Sequence, residues 1–174
     1  MTEPLQLIKY KPEELDVLYA ILVECGEDML QRYGLSHWRP PYPITVMQKN
    51  AASMDVFGVH QGNEAVGTFT TGCAGWRHDS MVWKDANHKA LYLYKLAIRP
   101  IYQGRGWGKW CVSQVERLAK ESGCQAVRFD AIARHTGLCA FYRKLGYHER
   151  AVQTVQDYYG VSWNVVFFEK ILQV

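Results

Sequence analysis

The segment Gln103-Gly104-Arg105-Gly106-Trp107-Gly108 constrains the fold of this chain more than any other. It lies between a strand-like segment, Leu91–Ile98, and a helical pattern that continues to about Lys120. Glycine at every second position leaves backbone N–H groups uncovered by side chains and permits backbone conformations that other residues avoid. Because the positive end of a helix dipole follows at once, the segment predicts a site for a phosphate or pyrophosphate group.

The remaining sequence alternates between strand and helix patterns and predicts a mixed α/β or α+β fold. The predicted order is βααβββαβαββ, with helices packed on both faces of one twisted sheet, in a single domain over residues 1–174. The predicted strands are Leu5–Tyr10, Val56–His60, Ala65–Thr71, Leu91–Ile98, Ala126–Ile132, Tyr147–Tyr158 and Val161–Leu172. The first three predicted helices begin at Pro12, Ile44 and Trp107, and Thr136 is predicted to cap the fourth. They close at Gly34, Ser53, Gly123 and Gly146.

Charge and hydropathy exclude several classes of protein. The 174 residues carry a net charge of +3, and the basic residues are scattered, so we expect no nucleic-acid partner. No apolar run approaches the roughly 20 residues that span a bilayer, so we expect no membrane partner. Glu3, Pro4 and Lys9 interrupt the apolar core that a signal peptide needs. We therefore expect a cytoplasmic protein.

The five cysteines favour neither a disulfide framework nor a metal site. Their number is odd, and no C-x-x-C pair occurs. The sequence therefore predicts buried free thiols and no structural metal. The cysteines are Cys25, Cys73, Cys111, Cys124 and Cys139.

The glycine segment does not fit the two common nucleotide-binding motifs. A Walker A loop ends in Gly-Lys-Ser/Thr, whereas Lys109 is followed here by Trp110, which has no hydroxyl for Mg²⁺. A Rossmann fingerprint is G-x-G-x-x-G in an early strand–helix unit, whereas these glycines lie late in the chain at alternate positions. A tight turn in which the glycines supply backbone freedom alone is the remaining alternative.

Two motifs together resemble the GNAT family of acyl-CoA-dependent N-acyltransferases. Residues 103–108 fit the family signature Q/R-x-x-G-x-G/A, and Leu96-Ala97-Ile98-Arg99-Pro100 is similar to the apolar strand end that precedes it. Residues 141–147, FYRKLGY, resemble the family's second hallmark, a helix that ends in Y-x-K-L-G-[FY]. The predicted element order agrees with the family over essentially the whole chain.

The resemblance implies a site for acetyl-CoA. The strands that contain Ile98 and Ala126 would splay apart, and the pantetheine arm would lie along the first of them. The backbone of Leu96 would face the thioester carbonyl, and Ile98, next to Ala97, would hold the pantetheine amide. The turn would wrap the pyrophosphate through residues Gln103, Gly104, Arg105, Gly106, Trp107, Gly108 and Lys109.

The resemblance also implies direct attack of a neutral amine on the thioester, without a metal. Tyr142 stands at the family position of the acid that protonates the leaving thiolate, and a phenol stays protonated at neutral pH. A core residue on an amphipathic helix is the alternative for Tyr142. His135 stands where many relatives have an asparagine that contacts the cofactor, and a helix cap or a surface position is its alternative.

The general base is not evident from the sequence. Tyr92 and Tyr94 stand where many relatives carry a glutamate, and neither is a base at neutral pH. The other candidates are Glu24, Asp28, His37, His78, Asp79 and His88.

The acceptor is also left open as a small amine, an amino acid or a protein terminus. Aromatic residues from segments that would flank the acceptor suit an amine with an apolar or cationic body, and they equally build cores. They are Trp38, Trp76, Trp83, Tyr92 and Tyr94. A non-catalytic CoA-binding or sensing module is the alternative function. The apolar last strand suggests a possible homodimer through a sheet edge, or else burial within one chain.

Overall fold

The computed structural model describes residues 3–73 and 82–173 and confirms the predicted element order. The strands are β1 (Leu5–Tyr10), β2 (Asp55–Gln61), β3 (Glu64–Gly72), β4 (Ala90–Ile98), β5 (Ala126–Ile132), β6 (His148–Gln156) and β7 (Ser162–Ile171). The helices are α1 (Asp16–Tyr33), α2 (Ile44–Ala51), α3 (Trp107–Glu121) and α4 (Thr136–Lys144).

Some predicted element ends were wrong by a few residues. Pro12 begins a 3₁₀ turn, Pro12–Glu14, and the α-helix itself begins at Asp16. The predicted second helix stops at Ala51, because the amides of the following residues bond back to Lys49 and Asn50 in a turn. Element ends are where local propensity is weakest, so turn hydrogen bonds decide them.

The strands are ordered β1-β2-β3-β4-β5-β7-β6. The register is antiparallel for β1–β2, β2–β3, β5–β7 and β6–β7, and parallel for β4–β5. The last strand, β7, therefore lies between β5 and β6. Its apolar character reflects burial within the chain, and the idea that it forms a sheet edge was wrong.

The first of two compact units comprises Met1–Gly72 and Tyr94–Val112. One face of α1 buries its apolar residues against strand residues and α2. Gly34 ends α1 in the left-handed conformation, with φ 64°, and donates its amide to Leu30, as its position after the last periodic residue predicts. The buried core of this unit consists of Leu15, Leu18, Ile21, Cys25, Met47, Val56, Ala65 and Ala97.

The second unit comprises Cys73–Leu93 and Ser113–Val174. Its core is an aromatic cluster in which Phe129 of β5 packs against Tyr142, Tyr147 and Phe168 at ring distances of 4.4, 4.9 and 5.5 Å. The β6–β7 hairpin closes at Gly160, with φ 77°, as the Tyr159-Gly160 pair predicts.

A buried ion-pair network also lies in the second unit. The Glu169 carboxylate is fully buried and accepts hydrogen bonds from Arg128 Nε at 2.9 Å and Arg150 Nε at 2.8 Å. It also accepts the backbone N–H of Lys84 at 3.1 Å. Three donors compensate the desolvation that an isolated buried carboxylate would suffer.

All five cysteines are free, as predicted. Four are buried, and Cys73 is exposed. Among the helices of residues 3–73 and 82–173, none has the length and apolar character that crossing a bilayer requires.

Candidate functional site

The end of β4 lies tightly against β3 in the first unit. A Cβ added to Gly67 would come within 2.6 Å of Ile98 Cδ1 and 2.8 Å of the Ala97 carbonyl oxygen. Ala97 and Ile98 are buried, whereas Leu96 is half-buried. The close approach requires glycine at position 67 and fixes the backbone that leads into the 103–108 turn.

Two glycines of the turn adopt a left-handed backbone. Gly104 has φ 77° and Gly106 has φ 81°, where other L-residues are strained by about 1–2 kcal/mol. A Cβ added at either position would meet no atom within 4 Å. The glycines are therefore required by the backbone and not by packing, and the space beside both of them is open.

The turn presents a group of backbone donors at the start of α3. The Trp110 amide donates to the Gly106 carbonyl at 3.1 Å, which closes the first helical turn. The amides of residues 107–109 precede it and have no partner within the helix. Such a group at the positive end of a helix dipole fits a phosphate or pyrophosphate.

Gln103 holds the turn in place. Its Nε2 donates to the Ile98 carbonyl at 3.0 Å, and its Oε1 accepts from Arg32 Nη1 at 3.0 Å. The Ile98 carbonyl also accepts from Cys25 Sγ at 3.3 Å. In this structure the Gln103 side chain therefore ties the turn to the end of β4 and to α1.

Positive charge lies beside the turn. The Arg105 guanidinium is 5.0 Å from the Tyr102 ring and 5.5 Å from the Trp107 ring, and these rings stack at 5.2 Å. Lys109 is exposed on the first turn of α3. A cation held against two aromatic rings adds to the field at the turn without covering its amides.

Tyr142 belongs to the second unit, in the aromatic cluster. It is 5% exposed, and its ring lies 5.5 Å from Phe168 and 6.2 Å from Tyr147. The Tyr147 hydroxyl donates to Glu116 at 3.2 Å, and burial raises the Tyr147 pKa above its usual range. The ring of Tyr142 therefore has the environment of a core residue, and its catalytic role stays a prediction.

His135 caps α4. Its Nδ1 accepts the Leu138 amide at 3.2 Å, which neutralises one of the free donors of the first helical turn. The prediction that Thr136 caps this helix was wrong, because the helix begins at Thr136 and the cap is the preceding residue. The capping alternative for His135 is thus observed, and its contact with a cofactor stays a prediction.

Several general-base candidates are occupied in ion pairs. Glu24 Oε2 is 2.7 Å from Arg99 Nη1, and Asp28 Oδ2 is 3.1 Å from Arg32 Nη1. His88 Nε2 lies 3.7 Å from Asp85. His37 packs against the Trp38 ring, and His78 and Asp79 lie outside the described residues.

The aromatic candidates for the acceptor site divide into two groups. Trp83 and Tyr92 are buried in the second unit, where Arg128 lies 4.9 Å from the Trp83 ring and donates to the Tyr92 hydroxyl at 3.2 Å. These two are core residues. Trp38 lines a cavity in the first unit; Tyr94 is half-buried in β4, and Trp76 lies outside the described residues.

Sequence reasoning missed Lys95 on β4. It has φ 51°, a left-handed conformation that is uncommon outside glycine and costs on the order of 1–3 kcal/mol. Its side chain lines the same cavity as Trp38. The signal in the sequence was a single charged residue within the otherwise uncharged strand ALYLYKLAI.

In the described ranges, no group of three or more histidine, cysteine or carboxylate side chains is arranged to hold a metal ion.

Solved structures show the same fold at low sequence identity. The ribosomal-protein-S18-alanine N-acetyltransferase of Escherichia coli is 14% identical with a TM-score of 0.70, covering 98% of this chain and 96% of that one. An acetyltransferase of Bacillus subtilis in complex with CoA is 15% identical with a TM-score of 0.65, covering 98% and 100%. A GNAT acetyltransferase of Elizabethkingia anophelis with acetyl-CoA bound is 12% identical with a TM-score of 0.63, covering 97% and 98%.

No curated protein sequence matches the chain. The profile of the acetyltransferase (GNAT) family matches residues 16–147, which is more than half of the 174 residues. The matched range includes the glycine turn and α4, the two segments that carry the sequence motifs. The chain therefore belongs to the GNAT family of acetyltransferases.

Proposed function

We propose that the protein transfers the acetyl group of acetyl-CoA to a primary amine by direct attack within a ternary complex. The observation that supports this most is the open 103–108 turn, with its amides at the start of α3 and two left-handed glycines. The site fits the donor's pyrophosphate, because the amides of residues 107–109 have no partner within α3 and the space beside Gly104 and Gly106 is open.

Acetyl-CoA would supply an activated thioester. The amides of the turn would bind its pyrophosphate, and Arg105 and Lys109 would add positive charge at the same place. The backbone of Leu96, Ala97 and Ile98 would hold the pantetheine arm, with the Leu96 amide available to an oxygen that gains negative charge. Holding donor and amine together would supply much of the rate.

Tyr142 would donate a proton to the departing thiolate in this proposal. A phenol at neutral pH retains its proton and so can act as an acid. Its ring is held by Phe129 and Phe168 at 4.4 and 5.5 Å, which would limit the positions that its hydroxyl can take. His135, at the start of α4, would contact the cofactor near the same helix.

Donor binding is tested by thermal unfolding with two ligands. Acetyl-CoA at millimolar concentration should raise the unfolding midpoint, because a ligand that binds only the folded state stabilises it. S-acetylpantetheine, which lacks the pyrophosphate, should raise it far less. No shift with acetyl-CoA in a folded sample would overturn the proposal, and equal shifts with both ligands would remove the turn from the site.

Turnover is tested by measuring the release of the CoA thiol with a panel of amines as acceptors. The same assay is applied to Tyr142→Phe. General-acid catalysis contributes about 10²–10⁴-fold, so the variant should lose at least tenfold in kcat while it binds acetyl-CoA as the wild type does. Tyr147→Phe removes another hydroxyl from the same cluster and should keep its turnover per folded molecule. Unchanged kcat in Tyr142→Phe excludes the acid role, and binding without any turnover would favour a CoA-sensing module.

A further inference from the structure

The first unit contains an apolar cavity beside β4. It is a narrow cleft that is partly open to solvent, with a cavity volume of about 20 Å³, and residues from α1, the 34–43 loop, α2 and β4 line it. The walls include Tyr19, Leu22, Trp38, Tyr42 and Met47, and Lys95 enters from β4. Apolar and aromatic walls with a single polar group are typical of sites for small organic molecules.

The loop that forms one wall is fixed by two contacts. The Tyr19 hydroxyl donates to the Tyr42 carbonyl at 2.7 Å. On α1, a Cβ added to Gly26 would lie 2.8 Å from the Trp38 carbonyl oxygen, so the loop approaches the helix as closely as glycine allows. These contacts hold that wall in place, which lowers the entropic cost of binding.

Lys95 is the one charged side chain among the residues that line the cavity, within the described part of the chain. Its Nζ lies 4.9 Å from the centre of the Tyr42 ring. No carboxylate of residues 3–73 or 82–173 lies within 4.0 Å of it. Burial lowers the pKa of Lys95 from 10.5 to about 8, which shows how poorly its charge is compensated.

A strained backbone holds this ammonium in an apolar site, and no anion from residues 3–73 or 82–173 lies beside it. A strained, partly desolvated cation is costly and persists only where its surroundings impose it. A ligand with a single negative charge would compensate the ammonium, whereas a cationic ligand would be repelled. One ammonium among aromatic and aliphatic walls is a weak partner for a dianion, so a carboxylate fits better than a phosphate.

We propose that this cavity binds an acceptor amine that also carries a carboxylate and an apolar or aromatic body, with Lys95 paired to the carboxylate. The inference rests on the proposed function, since it names the acceptor class of that reaction. Of the three acceptors considered, it favours an amino acid, because the amine of a protein terminus lacks an adjacent free carboxylate.

The binding step is tested with 3-phenylpropionate and its neutral amide, titrated into the full chain and followed by NMR. The acid should bind at least about tenfold more tightly than the amide, because a charge-assisted contact is added. Lys95→Met should bind both ligands equally. Lys49→Met removes an exposed charge from α2 and should behave as the wild type does.

The Lys95 side chain itself supplies a second readout. Binding of the acid should raise the Lys95 pKa from about 8 toward 10.5, and binding of the amide should leave it unchanged. A purely structural lysine would show no such ligand dependence. Equal affinity for the acid and the amide, a preference that survives in Lys95→Met, or no binding of either ligand at about 10 mM would overturn the inference.

Turnover separates this inference from the proposed function. With acetyl-CoA, kcat/KM for phenylalanine should exceed that for phenylalaninamide and phenethylamine at equal concentrations of neutral amine, and Lys95→Met should remove the difference. Acetylation of all three amines at equal rates would overturn the inference and leave the proposed function standing. Lys95-dependent binding of the acid without acetylation of any amine would overturn the proposed function. It would leave standing the pairing of Lys95 with a carboxylate in the cavity.

Discussion

The 103–108 turn and the Lys95 cavity lie in the same unit. The turn is formed by backbone groups, whereas the cavity is formed by side chains. The turn presents backbone amides, and the space beside its two left-handed glycines is open. The cavity presents side chains from four separate segments, and a lysine enters it from a strand. Backbone donors suit a group common to many ligands, such as a pyrophosphate, whereas side chains at dispersed positions suit one particular ligand.

This difference explains why one region is readable in the sequence and the other is not. A turn that needs positive φ restricts its own residues to glycine, so the requirement appears as a local pattern. The cavity depends on which residues the fold brings together. Trp38 and Lys95 are far apart in sequence, and no local rule links them.

The largest effect is expected from Gly104→Val, which tests whether backbone conformation alone makes the turn. A β-branched residue at φ 77° should distort the turn and lower the affinity for acetyl-CoA by about a hundredfold. Gly160→Val places the same strain at the same φ in the β6–β7 hairpin. It should bind acetyl-CoA as the wild type does in calorimetry; equal loss in both variants would mean that general destabilisation is responsible.

The next effect concerns the cavity and its buried charge. Below pH 8, Lys95 is charged in both the folded and the unfolded state, so the folded state bears the full free-energy cost of burying the charge. Between about pH 8 and 10.5 the folded state loses the proton first, so the unfolding free energy should rise with pH. Lys95→Met should be more stable at pH 7 by on the order of 3 kcal/mol, since one pKa unit corresponds to about 1.4 kcal/mol and the pKa falls from 10.5 to about 8.

Urea unfolding of the wild type and Lys95→Met from pH 7 to 11 measures this difference. Other groups that titrate at high pH contribute to the unfolding free energy of both proteins, so their contributions cancel in the difference. The stability difference should shrink as pH rises through the window. A difference that is independent of pH would show that the charge of Lys95 costs nothing in the folded state.

The smallest effect is expected from Gln103→Ala, which tests whether a side chain supports the turn. The variant loses the partly buried bond to the Ile98 carbonyl and the exposed bond from Arg32, both at 3.0 Å. We expect acetyl-CoA affinity to fall about threefold, in line with about 0.5–1 kcal/mol for such bonds. Gln103→Glu keeps the acceptor for Arg32 and loses the donor to Ile98, so comparison of the two affinities separates the contacts.

Most of the fold followed from local patterns. The glycines at 34, 146 and 160 end their elements with positive φ, and hydrophobic periodicity located the strands and helices. The cap of α4 was misassigned because histidine and threonine both bond to backbone amides, and only geometry distinguishes them. Element order and turns are local properties, and for that reason the sequence predicts them.

The residues of the candidate site were predictable only in part. Gln103 was expected to contact the cofactor, and its observed bonds hold the turn in place, which depends on where Arg32 and Ile98 lie. The strain at Lys95 comes from strand geometry and has no sequence signature. The general base stayed unassigned, since Glu24 and Asp28 form ion pairs whose partners no local pattern reveals.

The fully buried Glu169 carboxylate has a consequence for amide hydrogen exchange. It accepts the backbone N–H of Lys84, in an irregular segment where exchange would ordinarily be fast. That amide can exchange only when Glu169 also parts from it, and Glu169 is held by Arg128 and Arg150. Lys84 should therefore exchange as slowly as the neighbouring strands, and its rate would report on the opening of this part of the molecule rather than on loop motion.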